Sequence, residues 1–290
     1  MKEFLSQYKD KKLYIISSVD EMIDYRNSLD KALKIGFVPT MGYLHQGHLS
    51  LVEKAKEEND IVIVSIFVNP SQFGQGEDFE NYPRDLERDL NLLLTKDVDI
   101  VFNPNYKDVY PDNYKTWIEV SDFSDKYCGA SRPGHFKGVA TIVNKLVNII
   151  KPDFMYMGEK DFQQIVVLQT MLRDLNISTK ITPCPIIRES DGLAMSSRNV
   201  YLTQQERENA TCLYHSLIIA KDMLNKKTTD INLVKSEMEK IISNSSGKID
   251  YIAFIDNDSF NPVSSLTHNT RILLAIKIGK TRLIDNMKMS

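Results

Sequence analysis

The 290-residue sequence predicts an α/β protein, with a doubly wound parallel sheet followed by a smaller α+β C-terminal domain. Three observations carry that expectation. Residues 61–68 form an almost wholly apolar, β-branched run, the mark of a strand buried on both faces of a parallel sheet. Strand-like and helix-like stretches alternate from residue 34 to residue 175, as right-handed βαβ units require. Near Ile187 the alternation stops, and consecutive helical patterns give way to consecutive strand patterns.

Taken in order, Ser18 with Glu21 is a capping-box pattern that opens a helix carrying Met22, Ile23 and Leu29. Ile35-Gly36-Phe37-Val38 is a short β run. After Gly47, Leu51, Val52 and Ala55 recur at helical spacing among Glu53, Lys54, Lys56 and Glu57. Residues 83–96 put Leu86, Leu90, Leu93 and Leu94 on one helical face, and Arg84, Asp85, Glu87, Arg88 and Asp89 read as a solvated face. Residues 100–102 are a short strand, 138–150 a helix, 154–157 a strand and 161–175 another helix. This is the order of a Rossmann-like sheet, in which ligands bind beyond the carboxyl ends of the strands at a topological switch point. The loops after Val38, Val68 and Met157 are therefore expected to face one site. The second part opens on a polar stretch, residues 188–199. A capping box (Thr203 with Glu206), two helical segments, and strands at 251–255 and 271–278, expected to be antiparallel, follow. Residues 243–247 read as a surface loop, and a boundary at residue 186 gives domains 1–186 and 187–290.

Composition excludes several classes of function. Hydrophobic residues are 42% and charged residues 26%, the balance of a soluble globular chain rather than a disordered or fibrous one. A net charge of −3 argues against a nucleic-acid surface and a polybasic membrane patch. The apolar run at 61–68 falls far short of the roughly 20 residues of a spanning helix. The first twelve residues hold four lysines and no apolar core, unlike a signal peptide. Cys128, Cys184 and Cys212 show neither zinc spacing nor a disulfide framework, so a reducing cytoplasm is expected.

Four segments carry chemistry. In Met41-Gly42-Tyr43-Leu44-His45-Gln46-Gly47-His48, between a strand and a helix, the helix start offers N–H groups and a positive dipole end to a phosphate. His45 and His48 can both donate to phosphate oxygens there; two surface histidines, or half a metal site, is the alternative. Asn69 and Gln72 fall just past the buried strand, and their amides suit a substrate bearing hydroxyl and carboxylate groups, although Asn69-Pro70 is also ordinary turn chemistry. In Gly158-Glu159-Lys160-Asp161, Lys160 is a compact cation for phosphate, or part of a solvated helix start. In residues 191–199, Ser196, Ser197 and Arg198 form an anion-gripping segment that could close over a nucleotide, or else a flexible linker. The glycine-punctuated loop 132–138 either touches phosphates or caps a helix, while His215, His268, Met155 and Met157 read as structural.

The fuller strings are more specific than any single motif. Phe-Val-Pro-Thr-Met-Gly-x-Leu-His-x-Gly-His, Phe-Val-Asn-Pro-x-Gln-Phe, Arg-Pro-Gly-His-Phe-x-Gly-Val, Gly-Glu-Lys-Asp-Phe-Gln-Gln and Asp-Gly-Leu-Ala-Met-Ser-Ser-Arg-Asn occur in this order, and Thr281-Arg282-Leu283-Ile284-Asp285-Asn286 closes the series. Together they resemble the pantothenate synthetase family of the nucleotidylyltransferase superfamily, which shares its fold and α-phosphate chemistry with class I aminoacyl-tRNA synthetases. The resemblance spans residues 1–286.

That resemblance implies a cytoplasmic, homodimeric ligase that uses ATP and Mg²⁺ to condense pantoate with β-alanine through pantoyl adenylate, with no nucleic-acid or membrane partner. It assigns ATP to Met41, Gly42, Tyr43, Leu44, His45, Gln46, Gly47 and His48, with His48 the proton donor and His45 beside it on the phosphates. It extends the ATP site to Gly158, Glu159, Lys160, Asp161, Ile187, Met195, Ser196, Ser197 and Arg198, with Lys160 and Arg198 supplying cations. Gln72 matches a contact to both pantoate and β-alanine, and Gln164 a second pantoate contact; the metal ligands cannot be read. Ala194 and Ser197 stand where the synthetase Lys-Met-Ser-Lys-Ser loop has its lysines, which argues against tRNA charging. The rival readings are an adenylyltransferase acting on a phosphorylated acceptor and a nucleotide-binding module without catalysis.

Overall fold

The computed structural model describes residues 13–290; the first twelve residues, on which the expectation of no signal peptide rests, lie outside the described residues. The chain divides into two units. One takes in the described residues up to Gly158 together with Gln163–Cys184, and the other takes in Glu159–Phe162 and Pro185–Ser290.

The first unit is built on six parallel strands: β1 (Tyr14–Ile16), β2 (Ile35–Thr40), β3 (Ile61–Ile66), β4 (Ile100–Phe102), β5 (Phe154–Gly158) and β6 (Lys180–Cys184). Their order is β1-β4-β3-β2-β5-β6. The connecting helices are α1 (Val19–Ser28), α2 (Gln46–Glu58), α3 (Leu86–Leu94), α4 (His135–Ile150) and α5 (Phe162–Asp174). The doubly wound α/β architecture expected from the sequence is present. Val62, Ile63 and Val64 of β3 and Ile35, Phe37 and Val38 of β2 are 0% exposed, so both strands are largely apolar along their length. Gly36 sits among them because a Cβ there would meet the Asn59 side chain 2.7 Å away. The strands β1 and β6 escaped the sequence reading. β1 is three residues long, and β6 is an edge strand carrying Pro183, whose missing N–H only an edge tolerates.

The chain leaves β2 toward β3 on one side, while β5 lies on the other, so the topological switch point falls between β2 and β5. These two strands pair only at Gly36↔Phe154 and Phe37↔Met155, whereas β5 stays paired with β6 through Gly158. Pro39, which cannot donate to a neighbour, lies beyond the β2–β5 pairing. The carboxyl ends of β3, β2 and β5 thus stand side by side.

The second unit is an antiparallel meander of β7 (Lys248–Asp256), β8 (Thr270–Ile278) and β9 (Thr281–Lys288), with helices α6 (Gln204–Ala210), α7 (Cys212–Asn225) and α8 (Ile231–Asn244). Leu213, Leu217, Val234, Met238, Leu274 and Ile276 share its core. Both halves of the Thr203–Glu206 capping box form. Three helices replace the two expected, because Thr211 ends one and begins the next. The loop expected at 243–247 starts later, since α8 runs through Asn244. Among the described residues no disulfide forms, and Cys128, Cys184 and Cys212 are buried. Among the described residues no helix is long and apolar enough to cross a membrane.

Candidate active site

The loop from Met41 to His48 leaves the switch-point strand β2 and enters α2. It turns through Gly42 at φ +79° and Tyr43 at φ +48°, with the Gly42 N–H bonded to Thr40 Oγ1 at 3.1 Å. The turn is held by Asp89. One carboxylate oxygen accepts from the Tyr43 N–H at 2.6 Å and the other from the Leu44 N–H at 2.7 Å. The solvated role expected for Asp89 is therefore wrong: it is 1% exposed, and burial pushes its carboxyl above the usual carboxylate value against the pull of those two amides. The missed signal was positional, because Asp89 lies three residues after Leu86 and four before Leu93, inside the apolar stripe of α3. Arg88 stacks on the Tyr43 ring at 4.8 Å, and the Leu44 side chain is core at 0% exposure.

His45 is the N-cap of α2. Its Nδ1 accepts from the Gly47 N–H at 3.1 Å, and His48 Nδ1 accepts from the His45 N–H at 3.3 Å, a capping box made entirely of imidazoles. The rings lie 4.0 Å apart, tilted by 38°. A backbone N–H can only donate, so each Nδ1 is an unprotonated acceptor and each ring proton sits on Nε2. The amides of His45 and Gly47 are consequently not offered to a phosphate, as the sequence reading supposed for the helix start. Both rings stand at the helix N-terminus, whose dipole end is positive.

Past β3, the turn Pro70–Gln72 and its cap Asn69 carry the two amides singled out in sequence. Asn69 is turn chemistry after all: it is 1% exposed, its Oδ1 accepts from the Ser71 N–H and hydroxyl and from Tyr110, and its Nδ2 donates to Gln72 Oε1 and the Gly138 carbonyl. Burial pushes the Tyr110 hydroxyl up to about 12, so it remains a donor. Because Asn69 Nδ2 only donates, Gln72 is oriented with Oε1 toward Asn69 and Nε2 toward Met41 Sδ, 3.0 Å away. A thioether is a weak acceptor, so Nε2 is a donor that a carboxylate or hydroxyl can recruit.

The loop 132–138 holds this turn. Arg132 forks onto Glu77 at 2.7 and 2.6 Å and also reaches the Gln72 carbonyl at 3.3 Å, while His135 Nδ1 lies 2.8 Å from that carbonyl. Burial pushes the Glu77 carboxyl up, but Arg132 outweighs it and holds the group below its usual value. In α5, Gln163 is spent on the Cys128 N–H and the carbonyls of Phe123 and Lys126, leaving Gln164, half-buried, as the amide outside that staple.

Gly158 closes β5, and a Cβ there would meet nothing within 4 Å among the described residues, so no protein contact demands a glycine.

In the second unit the segment Glu159–Asp161 is a single 3₁₀ turn. Asn286 of β9 donates to the carbonyls of Glu159 and Lys160 at 2.8 and 3.0 Å. Arg271, 4% exposed, binds Asn286 Oδ1 at 2.6 Å, reaches the Glu159 carboxylate at 3.4 Å and covers the Phe162 ring at 4.0 Å. Lys160 Nζ pairs with Asp161 at 3.1 Å. Sequence reasoning found Lys160 but not its anchors, which lie more than a hundred residues away.

Residues 187–195 are no linker. Met195 N–H bonds to the Ile187 carbonyl at 3.0 Å and Glu189 N–H to the Leu193 carbonyl at 2.8 Å, so the segment folds back on itself around Gly192 at φ +92°. Arg188 roots it by a bidentate bond to the buried Asp285 at 2.6 and 3.0 Å. Ser196, whose hydroxyl accepts from the Arg198 N–H, then caps the turn Ser197–Tyr201 that carries Arg198.

The chain is similar to known proteins over nearly its whole length. The family model described as Pantoate-beta-alanine ligase matches residues 14–288. The chain is 54% identical over 275 residues to a pantothenate synthetase of Thermosipho melanesiensis, covering 94% of this chain and 98% of that protein. It is 52% identical over 277 residues to one of Caldicellulosiruptor saccharolyticus, with 95% and 99% covered. The crystal structure of the Thermus thermophilus pantothenate synthetase superposes with a TM-score of 0.90 at 41% identity, covering 95% of this chain and 99% of that one. A Francisella tularensis pantoate-beta-alanine ligase, complexed with β,γ-ATP and β-alanine, superposes with a TM-score of 0.82 at 42% identity, covering 96% and 98%.

Proposed function

The chain belongs to the pantoate-beta-alanine ligase family, and on that premise we propose how its residues divide the reaction. It is a C–N bond-forming ligase that condenses pantoate with β-alanine at the expense of ATP, through pantoyl adenylate, yielding pantothenate, AMP and pyrophosphate. A pantoate carboxylate oxygen bonds to the α-phosphorus of ATP, and pyrophosphate leaves with the electron pair of the broken P–O bond. The β-alanine nitrogen then bonds to the acyl carbon, AMP departs, and the amine loses its proton. A carboxylate is a weak nucleophile, so catalysis is chiefly positioning and stabilisation of phosphoryl charge.

The imidazole capping box carries this reading. Two neutral rings with protons on Nε2 can donate to phosphate oxygens as charge develops. His48 is the proton donor that the resemblance implies, offering its Nε2–H to the phosphates with His45 beside it. Lys160 and Arg198 supply positive charge to the phosphates of the same nucleotide. Gln72 Nε2 binds pantoate in the first step and β-alanine in the second, with Gln164 a further pantoate contact. Residues 1–186 form the nucleotide- and pantoate-binding domain, and residues 187–290 bring the Met-Ser-Ser-Arg segment. The same proposal includes a homodimer in the cytoplasm.

Among the described residues no three His, Cys, Asp or Glu side chains cluster to hold a metal. Asp89 spends its oxygens on two amides, and Asp161 is paired with Lys160. These residues do not make a Mg²⁺ cage, so the ion is proposed to arrive on the triphosphate with water completing its shell.

Pyrophosphate is expected to appear from ATP only when pantoate is present, and pantothenate only when β-alanine is added as well. An assay omitting each substrate in turn decides this, and pyrophosphate release without pantoate, or dependent on tRNA, refutes the reading. Asp89→Asn is expected to raise KM for ATP about tenfold, the worth of one charge-assisted hydrogen bond, because the new amide turns a donor toward a backbone N–H. An unchanged KM for ATP would show that the loop holds itself.

A further inference from the structure

The Arg132-Pro133-Gly134-His135 loop takes no part in the chemistry above, yet its polar atoms converge on one backbone carbonyl, that of Gln72. Arg132 Nη1 can only donate, so His135 Nε2, 3.1 Å away, accepts. The proton of a neutral ring is then on Nδ1, which donates to the Gln72 carbonyl at 2.8 Å. Arg132 Nη2 donates to the same carbonyl at 3.3 Å, and the fork from Glu77 at 2.7 and 2.6 Å fixes the guanidinium. Three residues into the same helix, a Cβ on Gly138 would collide with the Ser71 carbonyl and Gln72 Cα, and the Gly138 carbonyl takes the Asn69 amide at 3.2 Å.

We propose that His135, as its Nδ1–H tautomer between Arg132 and the Gln72 carbonyl, is the positioning residue of the substrate-binding turn. The role rests on the assignment of Gln72 to pantoate and β-alanine and deepens it. The start of α4 and the loop before it meet the turn at the Gln72 carbonyl, the Asn69 amide and the Ser71 carbonyl. There the Gln72 carboxamide is steered from one side by Asn69 and leaves Nε2 pointing at Met41. A donor that must meet a carboxylate in line tolerates little displacement: a shift of about 1 Å costs on the order of 10²-fold in rate. His135 suits the task because a neutral ring offers one donor and one acceptor on opposite edges. A protonated ring would lose the acceptor and set a second positive charge against Arg132.

The test is steady-state kinetics of the full chain with His135→Leu and His135→Gln, each substrate titrated in turn, alongside thermal melts. Leucine keeps the bulk and removes both polar atoms, whereas glutamine restores one donor and one acceptor. His135→Leu is expected to raise KM for pantoate and for β-alanine about ten- to hundredfold while KM for ATP stays within about twofold, and His135→Gln to recover most of that loss. Unchanged pantoate and β-alanine constants, an equal rise for all three substrates, or a glutamine variant no better than leucine would overturn the role. Should His135→Leu fail to fold, nitrogen NMR of the wild-type ring decides: the Nδ1–H form at neutral pH supports the proposal, and the Nε2–H form or an imidazolium overturns it. A wild-type chain that makes no pyrophosphate from ATP and pantoate refutes the functional reading itself and this role with it, a result distinct from an active wild type with an unaffected variant.

Discussion

His48→Ala is expected to slow pantoyl adenylate formation by about 10²–10³-fold while the protein stays folded. His48 Nδ1 accepts the His45 N–H at 3.3 Å, so the substitution removes half of an N-terminal cap. Loss of a cap costs about 0.5–2 kcal/mol, too little to unfold a domain whose sheet buries most of β2 and β3. The same change removes the proposed donor to the phosphoryl group, and loss of one such donor costs about 2.7–4 kcal/mol in the transition state. The catalytic effect therefore exceeds the structural one. Single-turnover release of pyrophosphate, read beside a thermal melt, separates the two, and a near-wild-type rate would remove His48 from the mechanism.

Lys160→Ala is expected to produce a comparable loss in adenylation and to leave the turnover of supplied pantoyl adenylate with β-alanine close to normal. In its proposed role the lysine acts where negative charge gathers on the departing pyrophosphate, and that group is gone by the second step. Its present partner does not hold it back. The Asp161 carboxylate at 3.1 Å is 44% exposed, and such pairs are worth about 0–1 kcal/mol, far less than a triphosphate offers. Its backbone, by contrast, is fixed: Asn286 binds the carbonyls of Glu159 and Lys160, and Arg271 locks Asn286. Alanine keeps those backbone bonds, so the variant isolates the charge. Equal losses in the two half-reactions would contradict the assignment.

Local pattern was enough for much of this. Residues 61–68 announce a buried strand because a two-faced strand in a parallel sheet has no polar side to show. Ser18 and Thr203 announce helix starts because a cap is satisfied within three residues. The His-x-Gly-His loop stood out for the same reason, since strand, turn and helix start are contiguous. Where the reading failed, the deciding partner was remote. Asp89 looks like one charge among several on α3 until Tyr43 and Leu44, some 45 residues earlier, bring their amides to it. Gln163 and Gln164 are indistinguishable as letters, and only the loop at 123–128 decides which of them is spent on structure.

The amino-acid sequence by itself determined the α/β class, the strand–loop–helix setting of the histidines, and the residue types able to meet a phosphate and a carboxylate. Those properties follow from hydrophobic period and chain connectivity, which act over a few residues. The tertiary structure alone decided the strand order that opens a switch point between β2 and β5, the hydrogen-bond partners of His45, His48 and His135, and the capture of Glu159–Phe162 by residues of β8 and β9. Each of these depends on which donors and acceptors distant segments bring within about 3 Å of one another, and a hydrogen bond of that kind has no period along the chain.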